Sequence, residues 1–508
     1  MAIAHHVTDA LGLAFRHWFG LLLVFFIGRA VYRRYLHPLR NIPGPWLASM
    51  TGLWFLSVHF NPQQHWVIVD LHRKYGPIVR IGPNRIIFTS PDTIGDYYGW
   101  DKSRYWKAFQ QNPHVPNHGG TLTSKEHRVE KSKIMGAYTL SQILKSEAKV
   151  DGHVLALMEQ FSRRTNAAID LAPWCQYFGW DAVMDVALSR NMHFVKSGFD
   201  VGGQIQSLHK LLLAAAFAGL YPSIPILINH PLWWPTLSPK PTAKSGIGAI
   251  QGIATNSVKD RFDNPDPTKT DIIQWMIEHR DKDGNTLSQA RIGEEAMAPV
   301  LAGSDTTAST LRSMILRTVA NPRVYNKLMS QIDNADQAGL LSVPPTHAEI
   351  LRHVPYIEAI RKEALRLLPA SALPFFREAP AKGATIEGYF IPGGTDVGLQ
   401  HWAIARNALY WGDDYDLFRP ERWTDEQDEH RRRMRDLGDG FFADGVYKCT
   451  GRNLATMEIM KMPIELFRRF DVELLNPDKP WKEKGALAML HTNFWVKLTP
   501  RGKSGHEQ

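Results

Sequence analysis

The spacing of apolar and polar positions changes several times along the chain, and each change indicates a different kind of element. Across residues 74–92 (KYGPIVRIGPNRIIFTSPD), short β-branched runs alternate with Gly-Pro turns, which predicts a small hairpin-like sheet. From about residue 140 to 370 the pattern is mainly helical. Strand and turn signals return at residues 384–399 (ATIEGYFIPGGTDVGL), and a helix is predicted to begin near Gly451. The segments DVELLNPDKP and FWVKLTP indicate terminal strands, so the whole pattern predicts a mainly α fold with minor β-structure.

No segment between about residue 47 and the C-terminus is long and polar enough to act as a linker, and no internal repeat is visible. The 508 residues are 44% hydrophobic, which is ample for a large buried core. We therefore expect one domain over residues 41–508, preceded by a separate N-terminal segment, residues 1–40.

The N-terminal segment contains an uninterrupted apolar run, residues 18–27, which is short for a membrane span. Counting over residues 10–31 gives enough length if the cationic side chains near the ends reach the membrane interface. The run is followed by a cluster of arginines, Arg29, Arg33, Arg34 and Arg40. This cluster indicates a stop-transfer signal, with the rest of the chain on the cytoplasmic side. We expect a signal anchor with a membrane helix at about residues 10–31, and the alternatives are a cleaved signal peptide or a buried core helix.

Residues 211–235 (LLLAAAFAGLYPSIPILINHPLWWP) are strongly apolar and are interrupted by prolines. The run has two interpretations of equal weight, because apolar runs are ambiguous by periodicity alone. It packs in the core, or it forms a loop that contacts lipid or controls the entry of a small molecule. Trp233 and Trp234 beside Pro235 suit a membrane interface. Both interpretations stay open from the sequence.

The balance of charges and cysteines excludes several classes of protein. Two cysteines in so long a chain argue against a disulfide framework and are too few for an all-cysteine zinc site. The formal net charge is +9, and it is spread along the chain without a concentrated basic patch or a known nucleic-acid-binding motif. We therefore expect no nucleic-acid partner, while a basic surface for docking an acidic protein stays open.

The segment LAGSDTTAS, residues 301–309, interrupts a helical pattern with residues that are poor in helix interiors. A threonine hydroxyl that bonds to a preceding carbonyl group distorts a helix, and a local opening here would leave room for a small ligand. Asp305 and Thr306 would then offer a path for protons. The alternative is a segment that caps or ends a helix, and this interpretation is favoured while the segment is taken alone.

Two further motifs carry charges. In EALR, Glu363 and Arg366 lie three positions apart on one face of a predicted helix. In FRPERW, residues 418–423, Arg422 would join these two side chains in a buried charge network. Taken singly, each motif is explained more simply by ordinary solvated charges.

The stretch FFADGVYKCTGRNLA, residues 441–455, places Cys449 in an aromatic and basic loop before a predicted helix. A cysteine thiolate can hold a haem iron. Gly445 and Gly451 let backbone N–H groups come close to the sulfur, and the positive end of the following helix would point at it. Phe442 would pack against the thiolate side. The alternative is an inert structural cysteine, which is the more common role of a lone thiol.

Taken together and in this order, AGSDTT, EALR, FRPERW and FADGVYKCTGRNLA resemble the motifs of the cytochrome P450 family of haem-thiolate monooxygenases. YLHPLRNIPGPWLAS and HRKYGPIVRIGPNRI are similar to the membrane-anchored fungal branch, near the pisatin-demethylase-like enzymes. The resemblance covers essentially the whole chain. It implies the cytochrome P450 fold, a helical haem domain with small β-sheets, after an N-terminal membrane anchor.

The resemblance implies a role for each motif. Cys449 would be the axial ligand of the haem iron, and Asp305 with Thr306 would supply protons to the reaction at the haem. A structural charge triad would comprise Glu363, Arg366 and Arg422. The residues implied to contact the haem are Phe442, Gly445, Tyr447, Gly451, Arg377, His127 and Lys131.

Three positions depart from the pattern of the family. Tyr447 stands where an arginine or histidine usually meets a haem propionate, and a tyrosine brings no charge. Lys131, four residues after His127, stands where the family has an arginine, and lysine is a point charge instead of a planar fork. Ala443 replaces a common glycine. We therefore expect Arg377 and Lys131 to carry more of the contact with the propionates.

The resemblance also implies an activity. The enzyme would use haem b and dioxygen to oxidise an apolar small molecule in fungal secondary metabolism. Its partners would be NADPH–cytochrome P450 reductase, cytochrome b5 and the endoplasmic reticulum membrane, with a single-pass anchor and a cytoplasmic catalytic domain. One alternative is oxidative rearrangement or desaturation without net oxygen insertion. A remote alternative is a non-catalytic haem-binding homologue, against which the paired Asp305 and Thr306 argue.

Overall fold

The computed structural model describes residues 2–110, 112–424 and 440–502 of the chain. Helices dominate these residues, as the hydrophobic pattern predicts. The α-helices are α1 (Ala2–Val31), α2 (Trp46–Met50), α3 (Leu53–His59), α4 (Gln64–Tyr75), α5 (Ile94–Tyr97), α6 (Ser124–Ser132), α7 (Leu140–Leu144), α8 (Glu147–Ser162), α9 (Leu171–Leu188), α10 (Phe194–Ser197), α11 (Gln204–Leu220), α12 (Ser223–Ile228), α13 (Trp234–Leu237), α14 (Gly246–Asp263), α15 (Ile272–Glu278), α16 (Gln289–Val319), α17 (Pro322–Gln337), α18 (His347–His353), α19 (Tyr356–Leu367), α20 (His401–Ile404), α21 (Ala408–Trp411) and α22 (Arg452–Arg469).

The strands of the described residues form small sheets, which confirms the minor β-structure expected from the sequence. They are β1 (Ile78–Gly82), β2 (Arg85–Phe88), β3 (Ala168–Asp170), β4 (Arg377–Glu378), β5 (Ala384–Ile386), β6 (Tyr389–Ile391), β7 (Asp396–Leu399), β8 (Phe470–Leu474), β9 (Lys482–Gly485), β10 (Met489–Thr492) and β11 (Trp495–Pro500).

The largest of these sheets has the strand order β1-β2-β7-β4. The predicted hairpin forms its first two strands, with Ile78 opposite Phe88, and β7 pairs with β2 in parallel. A second sheet has the order β3-β11-β8, and Val496 in its central strand pairs with both Ile169 and Leu474. This sheet joins the C-terminal strands to the residues just before α9. The pairs β5–β6 and β9–β10 are antiparallel hairpins.

The N-terminal apolar run lies within α1. None of the helices in the described parts of the chain combines the length and the apolar character that crossing a membrane requires. The membrane helix expected over residues 10–31 is therefore not confirmed.

Helix α16 runs through the main hydrophobic core and packs against α9. The two backbones come unusually close. A Cβ atom at Gly303 of α16 would lie 2.6 Å from Val183 Cγ2, and one at Gly179 of α9 would lie 3.0 Å from the Ser304 carbonyl oxygen. Because α16 continues without interruption through residues 301–309, the alternative interpretation of LAGSDTTAS as a helix end is wrong. Gly303 is explained by close helix packing instead.

Residues 211–235 are divided among α11, α12 and α13. The first part of this run is core, since Ala215 and Ala216 are buried and Leu211 packs against the main hydrophobic cluster. Farther along, apolar side chains are exposed: Ile226, Leu227, Leu232 and Trp233. The two interpretations of the run therefore apply to different halves of it, with packing in α11 and an open apolar surface after it.

Candidate active site

The acid and the alcohol of the AGSDTT motif are neighbours on α16 but differ in their environment. Asp305 is buried, whereas Thr306 is partly accessible and adjoins the exposed Ala302. The Thr306 hydroxyl donates to the Ala302 carbonyl oxygen at 2.8 Å, and the Thr310 hydroxyl donates to the Thr306 carbonyl oxygen at 2.9 Å. Thr306 therefore bonds back onto its own helix, while its hydroxyl oxygen keeps the capacity to accept a further hydrogen bond.

Asp305 is held by side chains from two other helices. Its Oδ1 atom contacts Gln176 Nε2 of α9 and lies 3.1 Å from His209 Nε2 of α11. Its Oδ2 atom has no hydrogen-bond partner among the residues that the structure describes. The Asp305 side chain is 2% exposed and the His209 side chain is 30% exposed, so the histidine connects a buried acid with solvent. Neither partner was expected from the sequence, because both lie far from the motif along the chain.

The cysteine loop, residues 441–451, depends on an unusual backbone. The Cys449 N–H group donates to the Phe442 carbonyl oxygen at 2.8 Å. Ala443 and Gly445 both have a φ angle of +59°, in the left-handed region that side chains disfavour. The left-handed backbone at position 443 explains physically why glycine is common there in the family. This chain adopts the same conformation with an alanine.

The Cys449 sulfur lies at the positive end of a helix. The backbone N–H groups of Gly451 and Arg452 hydrogen-bond to it, and Arg452 is the first residue of α22. The side chain is exposed. Burial among the surrounding protein atoms nevertheless raises the pKa of the thiol, against the opposite effect of the two N–H groups and of Lys131. A sulfur that is both accessible and closely surrounded is expected where the side chain lines an interior cavity.

A hydrogen bond that the sequence analysis missed joins α22 to α16. Glu458 of α22 is fully buried, and burial raises its pKa to about 8, so the carboxyl group is mostly protonated at neutral pH. The Thr307 hydroxyl, next to Thr306, donates to Glu458 Oε2 at 3.1 Å. The helix that follows the cysteine loop is therefore fixed beside the acid–alcohol pair. The available signal was a glutamate between apolar residues, in MEIM.

A cationic cluster lies beside Tyr447. The Arg377 guanidinium is buried, 3.8 Å from the centroid of the Tyr447 ring, and Lys102 Nζ lies 5.6 Å from the same centroid. Arg377 Nε and Nη1 have no hydrogen-bond partner within the described ranges. Burial, together with repulsion from Arg377 and Lys131, lowers the pKa of Lys102 to about 7. An anionic group bound here would relieve this repulsion and raise the pKa again.

His127 lies on the inner side of α6, against the same tyrosine. Its ring centroid is 4.6 Å from that of Tyr447, and its Nδ1 atom lies 2.7 Å from the His118 carbonyl oxygen. Burial, with a further contribution from the positive charge of Lys102, lowers the pKa of His127 to about 3. The imidazole is therefore neutral at physiological pH.

Lys131, one turn farther along α6, binds the cysteine loop itself. Its Nζ atom donates to the Val446 carbonyl oxygen at 3.0 Å and also contacts the Lys448 carbonyl oxygen. The sequence motifs predict this lysine near a haem but carry no signal for these backbone contacts. Lys102, which the sequence analysis did not single out, joins Arg377 in the cationic cluster.

Glu363, Arg366 and Arg422 meet in the interior. Arg366 Nε and Nη2 each lie 2.8 Å from an oxygen of Glu363, and Arg422 Nε lies 3.2 Å from Glu363 Oε1. Glu363 and Arg366 are fully buried, so they are not the solvated surface pair that the motif alone favoured. Both arginines also donate to backbone carbonyl oxygens within residues 405–417. The network therefore holds the chain that leads towards the cysteine loop.

These features together are typical of one class of protein. A cysteine sulfur lies at the N-terminal end of a helix, a cationic cluster lies beside its loop, and the adjoining long helix carries an accessible alcohol next to a buried acid. Cysteine thiolates hold haem iron in enzymes that cleave the O–O bond. The arrangement is that expected of a haem-thiolate enzyme.

Comparison with known proteins gives the family. A model of the family described as Cytochrome P450 matches residues 42–498. Because this match spans most of the chain, the protein belongs to the cytochrome P450 family. Its members carry a haem with a thiolate-bound iron, so the family and the cofactor expected from the sequence motifs are confirmed.

The chain is similar to cytochromes P450 of fungi along nearly its whole length. It is 29% identical to cytochrome P450 monooxygenase aba1 of Botryotinia fuckeliana over 475 residues, 91% of this chain and 92% of that protein. It is 30% identical to cytochrome P450 monooxygenase gsfF of Penicillium aethiopicum over 501 residues, 95% and 97% of the two chains. Pisatin demethylase of Fusarium vanettenii is 28% identical over 469 residues, 89% of each chain. The predicted class of enzyme, a P450 monooxygenase, is confirmed.

We expect Ala443→Gly to stabilise the protein by about 1 kcal/mol, because glycine accepts the left-handed backbone at this position without the steric cost of a Cβ atom. Thermal unfolding of the haem-loaded protein measures the effect as a rise in Tm. Ala338→Gly is the matched control, since Ala338 is exposed and has a φ angle of −79°, where glycine brings no such gain. A fall in Tm for both variants would contradict the assignment of strain to position 443.

Proposed function

We propose that this protein uses dioxygen and reductase-supplied electrons to oxidise an apolar small molecule at a haem b bound through Cys449. The observation that carries the proposal is the position of this cysteine. Its sulfur accepts two backbone N–H groups at the start of α22, and α22 is bonded to α16 beside Asp305 and Thr306. The bound haem supplies the chemistry that activates oxygen, and the residues of the chain hold it, orient the substrate and handle protons.

The residues around the cysteine loop fit a haem. Arg377 and Lys102, with His127 beside them, would bind its two carboxylate groups. Two observations support this assignment, namely the guanidinium nitrogens of Arg377 without a partner among the described residues and the lowered pKa of Lys102. Buried polar groups normally have partners, and carboxylates would provide them. The remaining loop residues proposed to line the haem site are Phe442, Gly445, Tyr447 and Gly451.

Two groups of charged side chains would support this site without touching the reaction. Lys131 would fix the cysteine loop through its carbonyl groups. The triad of Glu363, Arg366 and Arg422 would fix the segment before the loop. We propose that these residues, together with the rest of 41–508, form the catalytic domain.

Asp305 and Thr306 would carry protons to the reaction, with His209 as the entrance. An imidazole exchanges protons readily with solvent near neutral pH. A proton that the His209 imidazole takes up from solvent would be passed on from Nε2 to Asp305 Oδ1 across their 3.1 Å contact. Asp305 is buried next to Thr306, whose hydroxyl lies on the accessible side of α16. A non-catalytic haem-binding protein would have no use for such a connection between solvent and a buried acid.

An apolar substrate is supported by the packing of two segments proposed to line the pocket, residues 104–120 and 370–376. Trp106 of the first stacks against Phe375 of the second, with ring centroids 5.1 Å apart. All the relatives named above are fungal enzymes, and one is named for demethylating pisatin. We propose a small molecule of fungal secondary metabolism as the substrate, and an added oxygen atom in the product.

The redox partner would be NADPH–cytochrome P450 reductase, with cytochrome b5 as a further donor. Helix α6 supports a docking site, because Lys125 and Arg128 are exposed on it while His127 and Lys131 on its other side reach the haem site. The formal net charge of +9 favours an acidic partner.

We expect Cys449→Ala to abolish the ferrous–CO spectrum of a thiolate-bound haem, because it removes the proposed iron ligand. The matched control is Cys175→Ala. Cys175 is buried in the core, where burial raises the pKa of its thiol to about 12 and leaves it inert. The control should keep the thiolate spectrum. An unchanged spectrum in Cys449→Ala would rule out this cysteine as the ligand.

We expect Thr306→Ala to lower the amount of product formed per NADPH by about tenfold or more, because proton supply to the reaction loses its last hydroxyl. The measurement compares product, NADPH and hydrogen peroxide in the reconstituted enzyme. Thr318→Val is the control, since Thr318 lies on the same helix with its hydroxyl buried and without a partner among the described residues. Equal coupling in the two variants would show that Thr306 does not deliver protons.

We propose that the protein associates with the cytoplasmic face of the endoplasmic reticulum membrane through α1, whose apolar side chains between Phe19 and Ile27 are largely exposed and are followed by arginines. Deletion of residues 1–40 is expected to move the protein from the membrane fraction to the supernatant. Fractionation of cells expressing the full chain and the shortened chain measures this. Unchanged sedimentation of the shortened chain would exclude α1 as the attachment.

A further inference from the structure

Two adjacent glutamates of α16, Glu294 and Glu295, bind the segment of residues 112–120 that leads into α6. Glu295 is fully buried. Its Oε1 atom accepts the backbone N–H group of His118 at 2.9 Å, and its Oε2 atom contacts His118 Nδ1. One carboxylate therefore fixes both the main chain and the ring of the same residue. No motif of the sequence and no step of the proposed function uses this glutamate.

The carboxylate of Glu295 is also bound by an arginine of its own helix. Arg291 Nη2 lies 2.5 Å from Glu295 Oε1 and 2.9 Å from Glu130 Oε2 of α6. Burial raises the pKa of Glu295, but its interactions with His118 and Arg291 outweigh burial and hold the pKa below its usual value. Glu295 is therefore ionised, and α16 is joined through charges to both the segment 112–120 and α6.

The carbonyl group of His118 connects the segment bound by Glu295 to side chains of the proposed haem site. Its carbonyl oxygen lies 2.7 Å from His127 Nδ1, 3.0 Å from the Thr121 hydroxyl and 3.4 Å from Lys102 Nζ. His127 and Lys102 are the two side chains of this group that lie against Tyr447. A displacement of His118 would therefore remove an acceptor from both of them at once.

We propose that Glu295 is a positioning residue that acts through His118 to hold Lys102 and His127 at the carboxylates of the haem. The inference rests on the proposed function, because it assumes that these side chains face a haem. The same contacts hold residues 112–120 against α16. Attachment of His118 to α16 and retention of the haem therefore depend on the same buried carboxylate.

Glu294 provides a matched control on the adjacent position. It accepts the backbone N–H group of Asn112 at the far end of the segment, and burial together with the charge of Glu295 raises its pKa to about 7. Glu294→Gln replaces a half-protonated carboxyl group by a neutral amide of the same shape. Glu295→Gln, by contrast, removes the charge that pairs with Arg291 and places an amide N–H group where a carboxylate oxygen now contacts His118 Nδ1.

The test uses the full-length, haem-loaded protein and two measurements that do not require turnover. Amide hydrogen exchange followed by mass spectrometry reports the opening of residues 112–120. Transfer of haem to an excess of apomyoglobin reports its retention. Because unsatisfied buried groups are costly, we expect Glu295→Gln to accelerate both processes by about fivefold or more, whereas Glu294→Gln leaves haem transfer at the wild-type rate. Should Glu295→Gln fail to fold, His118→Ala, which keeps the backbone contact, should show the same two effects with smaller size.

Unchanged haem transfer in Glu295→Gln would overturn the inference, even if residues 112–120 exchange faster, because the link to the haem site would then be missing. Equal acceleration in Glu294→Gln would overturn it too. The ferrous–CO spectrum separates this failure from that of the proposed function. A wild-type protein without the thiolate-haem spectrum would refute the proposed function, whereas a normal wild-type spectrum with unchanged haem transfer in the variant would refute only the role of Glu295.

Discussion

Each charged side chain buried along one long helix needs an oppositely charged or hydrogen-bonding partner, and this requirement organises much of the structure. Helix α16 carries Arg291, Glu295, Asp305 and Arg312 below the surface. Each is bound by residues outside α16. Arg291 is bound by α6, Glu295 by the segment before α6, Asp305 by α9 and α11, and Arg312 by the Ala172 carbonyl group of α9. Removing one partner of such a pair typically costs about 3–5 kcal/mol, because the other charge stays buried and uncompensated. The elements around the site are thus held by polar contacts at defined points as well as by apolar packing.

The position of a single sulfur atom is determined in the same way, by contacts that come from distant parts of the chain. Lys131 donates to carbonyl groups of the cysteine loop. Glu458 accepts a hydrogen bond from Thr307 and so fixes the following helix. The network around Glu363 fixes the preceding segment. The loop needs this support because its backbone passes through a left-handed conformation at Ala443. A loop with a strained backbone keeps a single conformation only where contacts with its surroundings exclude the others.

The features that could be predicted from the sequence are those with a local signal. Periodicity identified the helices and the hairpin of β1 and β2, and the order of four short motifs identified the family. The partners of buried charges have no such signal. Glu295 and His118 are 177 residues apart, and Asp305 and His209 are 96 apart, so only the fold brings them together.

The contact between His209 and Asp305 joins α11 to α16, and α11 also begins the apolar stretch that ends in exposed surface. In many enzymes, elements around an enclosed site move when a substrate enters. Any movement that swings α11 away from α16 separates the histidine from the acid and cuts Asp305 off from its route to solvent. Under the proposed function, a movement of α11 that admits a molecule would therefore interrupt the supply of protons to Asp305, and the reaction would begin only after α11 has returned to α16.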